Sequence, residues 1–149
     1  MQFAYLLHVL GIVIWVGGMF FAYMALRPVA AVVLEPPQRL TLWAGVFGKF
    51  FPWVWLSVAL VLASGLFMLM KLGAATPHYA MTMLALGVVM MLIFAHVFFA
   101  PYKKLKRAVG EQNWPAGGAA LGQIRMLIGI NLSLGLLTIA VVFAGRALG

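Results

Sequence analysis

The chain has 149 residues, 66% hydrophobic and 8% charged, with ten basic residues, two acidic residues and no cysteine. Soluble domains are about half apolar and about a quarter charged, so this composition excludes a water-soluble globular fold. The lack of cysteine excludes disulfides, thiolate metal sites and a thiol nucleophile. Long uncharged runs argue against nucleic acid as a partner of the basic residues. The sequence therefore predicts a small integral membrane protein whose basic residues lie next to membrane lipid.

Four apolar runs are long enough to cross a membrane. A transmembrane helix needs about 20 mostly apolar residues to span about 30 Å of hydrocarbon. The runs lack the two-residue alternation of a membrane β-barrel, so they predict helices. We expect an all-α, four-transmembrane-helix bundle that forms a single domain over residues 1–149. Its spans are expected at about residues 3–26, 52–70, 78–100 and 121–144.

The distribution of basic residues predicts the orientation. One side carries only Lys71 and Arg146. Because cytoplasmic segments are enriched in lysine and arginine, we expect both termini outside and both long connectors in the cytoplasm of a bacterial inner-membrane, multi-pass protein. The other eight basic residues lie in those connectors or at the start of span four: Arg27, Arg39, Lys49, Lys103, Lys104, Lys106, Arg107 and Arg125.

The two long connectors carry structural signals of their own. Residues 36–51, which begin with two prolines, are apolar with basic and aromatic anchors. This pattern predicts either an interfacial helix between spans one and two or an extension of span two that bends at Pro52. In the connector before span four, residues 114–118 (Trp-Pro-Ala-Gly-Gly) are expected to form a turn.

His8 is the polar residue of greatest interest in span one. At helical spacing it shares a face with Gly11, Trp15 and Gly18. An imidazole beside a stripe of glycines leaves a flat slot of the kind that a porphyrin needs in a helix bundle, with Trp15 shaping the pocket. The alternative is that the glycines only permit close helix packing, and that His8 bonds to a backbone carbonyl. The residues alone leave both interpretations open.

Span three carries two further histidines on one face, His78 at its outer end and His96 near its inner end. They lie roughly 27 Å apart along the helix axis, so they cannot bind one iron together. A b-type haem needs one imidazole on each side at similar depth, so His8 and His78 are the expected ligand pair. His96 is left for a second site, near Arg27 and Arg125, whose guanidinium groups would hold propionates. Alternatively, His78 and His96 are ordinary interfacial side chains.

The chain also has ten methionines. Thioethers suit Cu(I), and Met81 and Met83 lie close to His78 in the sequence, so these three residues form the alternative copper site. Neighbouring methionines lie on different helix faces and form no regular ladder of ligands. Methionine that only fills the core or faces lipid is the other interpretation.

The first span resembles a known family. Residues 7–9 (Leu-His-Val) and 15–18 (Trp-Val-Gly-Gly) resemble the opening span of the copper-resistance protein D (CopD) family and of the related HemJ-type membrane protoporphyrinogen oxidases. The resemblance continues at His78, at His96 and in the basic stretch of residues 102–113. It implies a four-helix membrane protein that binds b-type haem, with His8 as an axial ligand.

The start of span three separates the two relatives. The oxidases carry His-x-Lys there, whereas this chain has His78-Tyr79-Ala80. The resemblance therefore favours a CopD-type protein over a protoporphyrinogen oxidase.

Three functional hypotheses follow from these observations. The first is a haem b protein that transfers electrons or carries out haem-dependent oxidation, with a quinone or a redox protein as partner. The second is a protein that handles or transports copper(I) through histidine and methionine. The third is a membrane assembly subunit without a cofactor. Each hypothesis is compatible with a homodimer, because a bundle this short leaves much apolar surface facing lipid or a second copy, and the sequence leaves the oligomeric state open.

Overall fold

The computed structural model describes residues 1–148. It contains four helical segments that are long and apolar enough to cross a membrane, which confirms the predicted all-α, four-span fold. The first segment consists of α1, a π-helical turn and α2, and the third consists of α4 and α5. The helices are α1 (Gln2–Phe21), the π turn (Ala22–Leu26), α2 (Arg27–Val33), α3 (Pro36–Leu72), α4 (His78–Phe99), α5 (Pro101–Gly110) and α6 (Trp114–Leu148), with a 3₁₀ turn at Gly73–Ala75.

The long helix α3 decides between the two predictions for the first connector. It has 37 residues and runs through Pro52 without interruption. At 1.5 Å per residue it is about 55 Å long, so it exceeds the thickness of the hydrocarbon. Residues 36–51 are therefore an extension of span two and not a separate interfacial helix.

The helices associate in two pairs. α1 packs mainly against α3, and α4 packs mainly against α6. α5 folds back against the beginning of α6, where an added Cβ on Gly117 would lie 3.5 Å from Ala108. We call the end of the molecule that holds Arg27, Arg39 and Arg125 the basic end, and the end where α3 finishes and α4 begins the far end.

An aromatic cluster joins α3 to α4 and α5. Phe51 lies at its centre, with ring centroids 4.9 Å from Phe47, 4.9 Å from Tyr102 and 5.3 Å from Phe94. Phe47 and Phe51 are stacked, whereas the other two rings meet Phe51 edge-on. Such pairs contribute about 0.5–1.5 kcal/mol each beyond the area that they bury. The cluster fixes the basic end of α3 against the other two helices.

A tight turn joins α5 to α6. Gln112 has a φ of 55°, in the left-handed region, and the amide of Asn113 donates to the carbonyl of Ala108 at 2.8 Å. The Asn113 side chain accepts from the amide of Ala116 at 3.4 Å, as a residue preceding a helix commonly does. The turn thus lies before Trp114, and residues 114–118 belong to α6. The predicted turn at 114–118 is wrong because a proline in the first turn of a helix needs no hydrogen-bond partner.

Candidate functional site

His8 lies in the interface between α1 and α3 and is 7% exposed. Its Nδ1 atom is 3.2 Å from the carbonyl oxygen of Val61 and 3.1 Å from Oγ of Ser64. The Ser64 hydroxyl donates its hydrogen to the carbonyl of Leu60, so Oγ accepts from the imidazole. Because both oxygens accept, Nδ1 carries the proton.

This arrangement has a chemical consequence for the other ring nitrogen. A neutral imidazole that is protonated on Nδ1 carries a free electron pair on Nε2. Metal-binding histidines are commonly held in this way, with one nitrogen donating to a carbonyl and the other left for the metal. In this tautomer, His8 keeps one ring nitrogen, Nε2, with a free electron pair inside the membrane-spanning region.

The glycines near His8 are in contact with α3. An added Cβ on Gly11 would lie 2.7 Å from Cγ2 of Val61, and one on Gly18 would overlap the Phe50 ring. Gly65 makes room for the imidazole, since an added Cβ there would lie 3.2 Å from Cε1 of His8. The stripe thus permits close helix packing, as the alternative interpretation expected, and α3 occupies the slot expected for a porphyrin.

The structure does not bring His8 and His78 together. His78 begins α4 and is exposed, whereas His8 faces α3, and α4 packs mainly against α6. Trp15 is buried and meets Phe94 edge-on at 6.5 Å, so it belongs to the apolar core. These residues do not fit a haem held between His8 and His78. Similar depth in the membrane did not make the two helices neighbours.

The alternative copper residues lie at the far end. His78 and Met81 are three residues apart on α4 and are both exposed, while Met83 is half-buried and points to another side of the helix. Within residues 1–148, no three histidine or acidic side chains are grouped closely enough to hold a metal ion. A metal site in this part of the chain would thus depend on few ligands or on methionine.

A second feature is a cavity of about 260 Å³ at the basic end. Arg27 and Arg125, which were expected beside His96 as partners of haem propionates, both line this cavity, whereas His96 does not line it and is exposed on α4. Arg39 also lines the cavity, although the sequence pattern indicates only its contribution to the orientation. The excess of basic over acidic residues in the first connector was the available signal. The cavity is bounded by the π turn, α2, α3 and α6, and its walls include Tyr23, Arg27, Arg39, Trp43, Trp114, Leu121 and Arg125.

Comparison with known families gives one match. The family model described as CopD, copper resistance protein D, matches residues 44–144. The chain belongs to this family. No curated protein matches the chain, and no solved structure does. Family membership and the four spans make it a copper-resistance-related, multi-pass membrane protein, consistent with the bacterial inner membrane.

The segment that matches the family model contains only part of the candidate site. It begins within α3 and ends within α6, so it includes the partners of His8, Val61 and Ser64, but not His8 itself. His78, His96 and the methionines of α4 lie inside the matched segment. The role of His8 therefore has to be argued from its own geometry.

Proposed function

We propose that this CopD family member binds copper(I) in the half of its membrane domain nearest the far end, with His8 as a ligand and copper as its cargo. The observation that supports the proposal is the buried imidazole of His8, whose Nδ1 is held by Val61 and Ser64. Its Nε2 keeps a free electron pair that can bind a metal ion. A soft d¹⁰ ion suits such a site, because the chain offers histidine and methionine there and no carboxylate.

Met68 is the proposed second ligand. It follows Ser64 by four residues on α3, so it shares the helix face that meets His8, and it is half-buried. Imidazole and thioether together form a donor set typical of Cu(I) sites. His78 and Met81, exposed at the same end of the bundle, are the alternative copper-binding residues, with Met83 beside them.

The test is the affinity of the detergent-purified protein for Cu(I), measured without oxygen by competition with a chromophoric chelator. We expect His8→Ala to weaken binding by about tenfold or more, and Ser64→Ala to weaken it by about tenfold, because it loosens the imidazole. His96→Ala is the matched control, since it removes an exposed histidine at the other end of α4 and is expected to leave the affinity unchanged. Unaltered binding by His8→Ala would refute the proposal, and loss in His78→Ala alone would move the site to α4.

Haem b remains the competing hypothesis for His8, because Nε2 would also serve as an axial ligand to iron. The packing of Gly11 against Val61 and of Gly18 against Phe50 argues against it, since it leaves no slot for a macrocycle between α1 and α3. An optical spectrum of protein expressed with adequate haem, before and after dithionite, separates the two. Sharp reduced bands that disappear in His8→Ala would favour haem and electron transfer over copper.

The assembly-subunit hypothesis makes a third prediction. It expects no metal of either kind, and a second protein that co-purifies in mild detergent. Stoichiometric Cu(I) binding that depends on His8 would refute it.

A further inference from the structure

The cavity at the basic end brings together three of the chain's ten basic residues and neither of its acidic ones. Arg27, Arg39 and Arg125 line one space of about 260 Å³, and neither Glu35 nor Glu111 lines it. An anion between three guanidinium groups around one cavity would offset their mutual repulsion. The copper proposal makes no use of this region, which lies at the opposite end of α3 from His8's partners.

Two of the guanidinium groups are fixed in place by the backbone. Nη2 of Arg39 donates to the carbonyls of Leu34 at 3.1 Å and Ala31 at 3.3 Å, and its Nε is buried without a partner among residues 1–148. Nε of Arg27 donates to the carbonyl of Tyr23 at 3.1 Å, and its guanidinium lies 4.5 Å from the centre of the Tyr23 ring. Because arginine has five N–H donors, both groups keep donors for an oxyanion.

The cavity is kept open by glycines of α6. An added Cβ on Gly118 or Gly122 would have no atom within 4 Å, whereas one on the neighbouring Gly117 would lie 3.0 Å from Leu40. Gly118 and Gly122 therefore border empty space, while Gly117 provides the close contact between α6 and α3. The space next to Gly122 is available to a ligand.

The surroundings of the cavity are apolar. Trp43, Trp114 and Leu121 contribute to its walls. On α2, which contributes Arg27 and Ala31 to the cavity, Val29, Val32 and Val33 are 59%, 86% and 69% exposed, as expected of side chains that face lipid. An apolar surface of this kind beside the arginines would not contribute to the binding of a soluble anion, which has no apolar group to place on it.

We propose that this cavity binds the phosphate-bearing headgroup of an anionic phospholipid, whose acyl chains lie along the valines of α2. The volume suits a headgroup and not a whole lipid, and the arginines supply the fork-shaped donors that recognise phosphate. Basic pockets between membrane helices on the cytoplasmic side bind such headgroups. This site would hold one lipid at the basic end, independently of copper.

The experiment is native mass spectrometry of the full-length chain in mild detergent, titrated with dioleoyl phosphatidylglycerol or dioleoyl phosphatidylcholine. We expect phosphatidylglycerol to bind at least about tenfold more tightly than phosphatidylcholine. The double variant Arg39→Gln/Arg125→Gln is expected to lose about tenfold or more of the affinity for phosphatidylglycerol. Lys103→Gln/Lys106→Gln is the matched control, because it removes two exposed positive charges from α5 at the same end. It is expected to stay within about twofold of the wild type.

A second variant distinguishes the contribution of the open space to lipid binding from the contribution of the charges. Gly122→Leu fills the open space without altering any charge, and it is expected to weaken phosphatidylglycerol binding to the same degree as the arginine variant. Equal binding by the wild type and Gly122→Leu would overturn the proposal, as would equal losses in the arginine and lysine variants. Inorganic phosphate or glycerol phosphate serves as the soluble competitor. If either displaces the lipid at comparable concentration, the ligand is a soluble phosphate and the lipid assignment is wrong.

Discussion

The contact between Gly11 and α3 yields a prediction that depends on a single added methyl group. A Cβ at position 11 would lie 2.7 Å from Cγ2 of Val61 and 3.1 Å from the carbonyl oxygen of Ser57. The first neighbour is a stiff β-branched side chain and the second is backbone, so neither can move aside cheaply. Gly11→Ala therefore requires α1 and α3 to separate.

The size of the expected loss in stability follows from comparison with Gly17→Ala on the same helix. An added Cβ at position 17 would have no atom within 4 Å. Both variants gain the same helix propensity, about 0.5–1 kcal/mol, so the gain cancels in the difference between them. What remains is the cost of overpacking, about 1–3 kcal/mol, plus about 0.5–1.5 kcal/mol if separation lengthens the bond from His8 to Val61. We expect Gly11→Ala to be less stable than Gly17→Ala by about 1–4.5 kcal/mol.

The free energy of unfolding is measured by titrating dodecyl sulfate into mixed detergent micelles and following the helical circular dichroism signal. Both variants and the wild type need the same micelle composition, because the apolar surface of the protein interacts with detergent. If Gly11→Ala is as stable as Gly17→Ala, then α1 and α3 are not in the close contact described, and the placement of His8 against α3 is wrong as well.

Two further variants are tested by the same titration. Asn131→Leu removes a buried amide whose Nδ2 donates to the carbonyl of Met90 at 3.3 Å and whose Oδ1 has no partner among residues 1–148. We therefore expect the free energy of unfolding to stay within about 1 kcal/mol of the wild-type value or to rise. A loss of more than about 2 kcal/mol would show that the amide oxygen is hydrogen-bonded. Gln112→Gly relieves a left-handed φ of 55° and is expected to stabilise the α5–α6 turn by about 1 kcal/mol, and a decrease would contradict the turn geometry.

The number and position of the helices could be predicted because the hydrocarbon thickness dictates the length of an apolar run. The pairing of the helices could not. In lipid, a side chain that faces the membrane is as apolar as one that faces another helix, so the pattern around α4 does not show which helix it meets. For this reason the sequence suggests that His8 and His78, predicted in the same half of the membrane, form a pair, although their helices have different partners.

The two candidate sites also differ in how far the sequence could predict them. His8 stood out in the sequence because a polar side chain in a membrane span needs a partner, and the structure supplies that partner in Val61 and Ser64 of α3. Ser64 had no signal beyond its polarity. For Arg39 the sequence indicates only a contribution to orientation, since it does not distinguish the extension of α3, which places Arg39 in one cavity with Arg27 and Arg125, from an interfacial helix.

Pro52 has a mechanical consequence for α3. Proline has no amide hydrogen, so the carbonyl of Gly48, one turn earlier, lacks its usual intrahelical partner, and a helix bends most easily at such a turn. The stacked rings of Phe47 and Phe51 flank this turn, and both meet Tyr102 of α5. α3 can thus flex at its weakest point only if α5 moves with it. A bend at this turn would change the angle between the part of α3 that holds the partners of His8 and the part that contributes Arg39 to the cavity, and the contacts of Phe47 and Phe51 with Tyr102 oppose it.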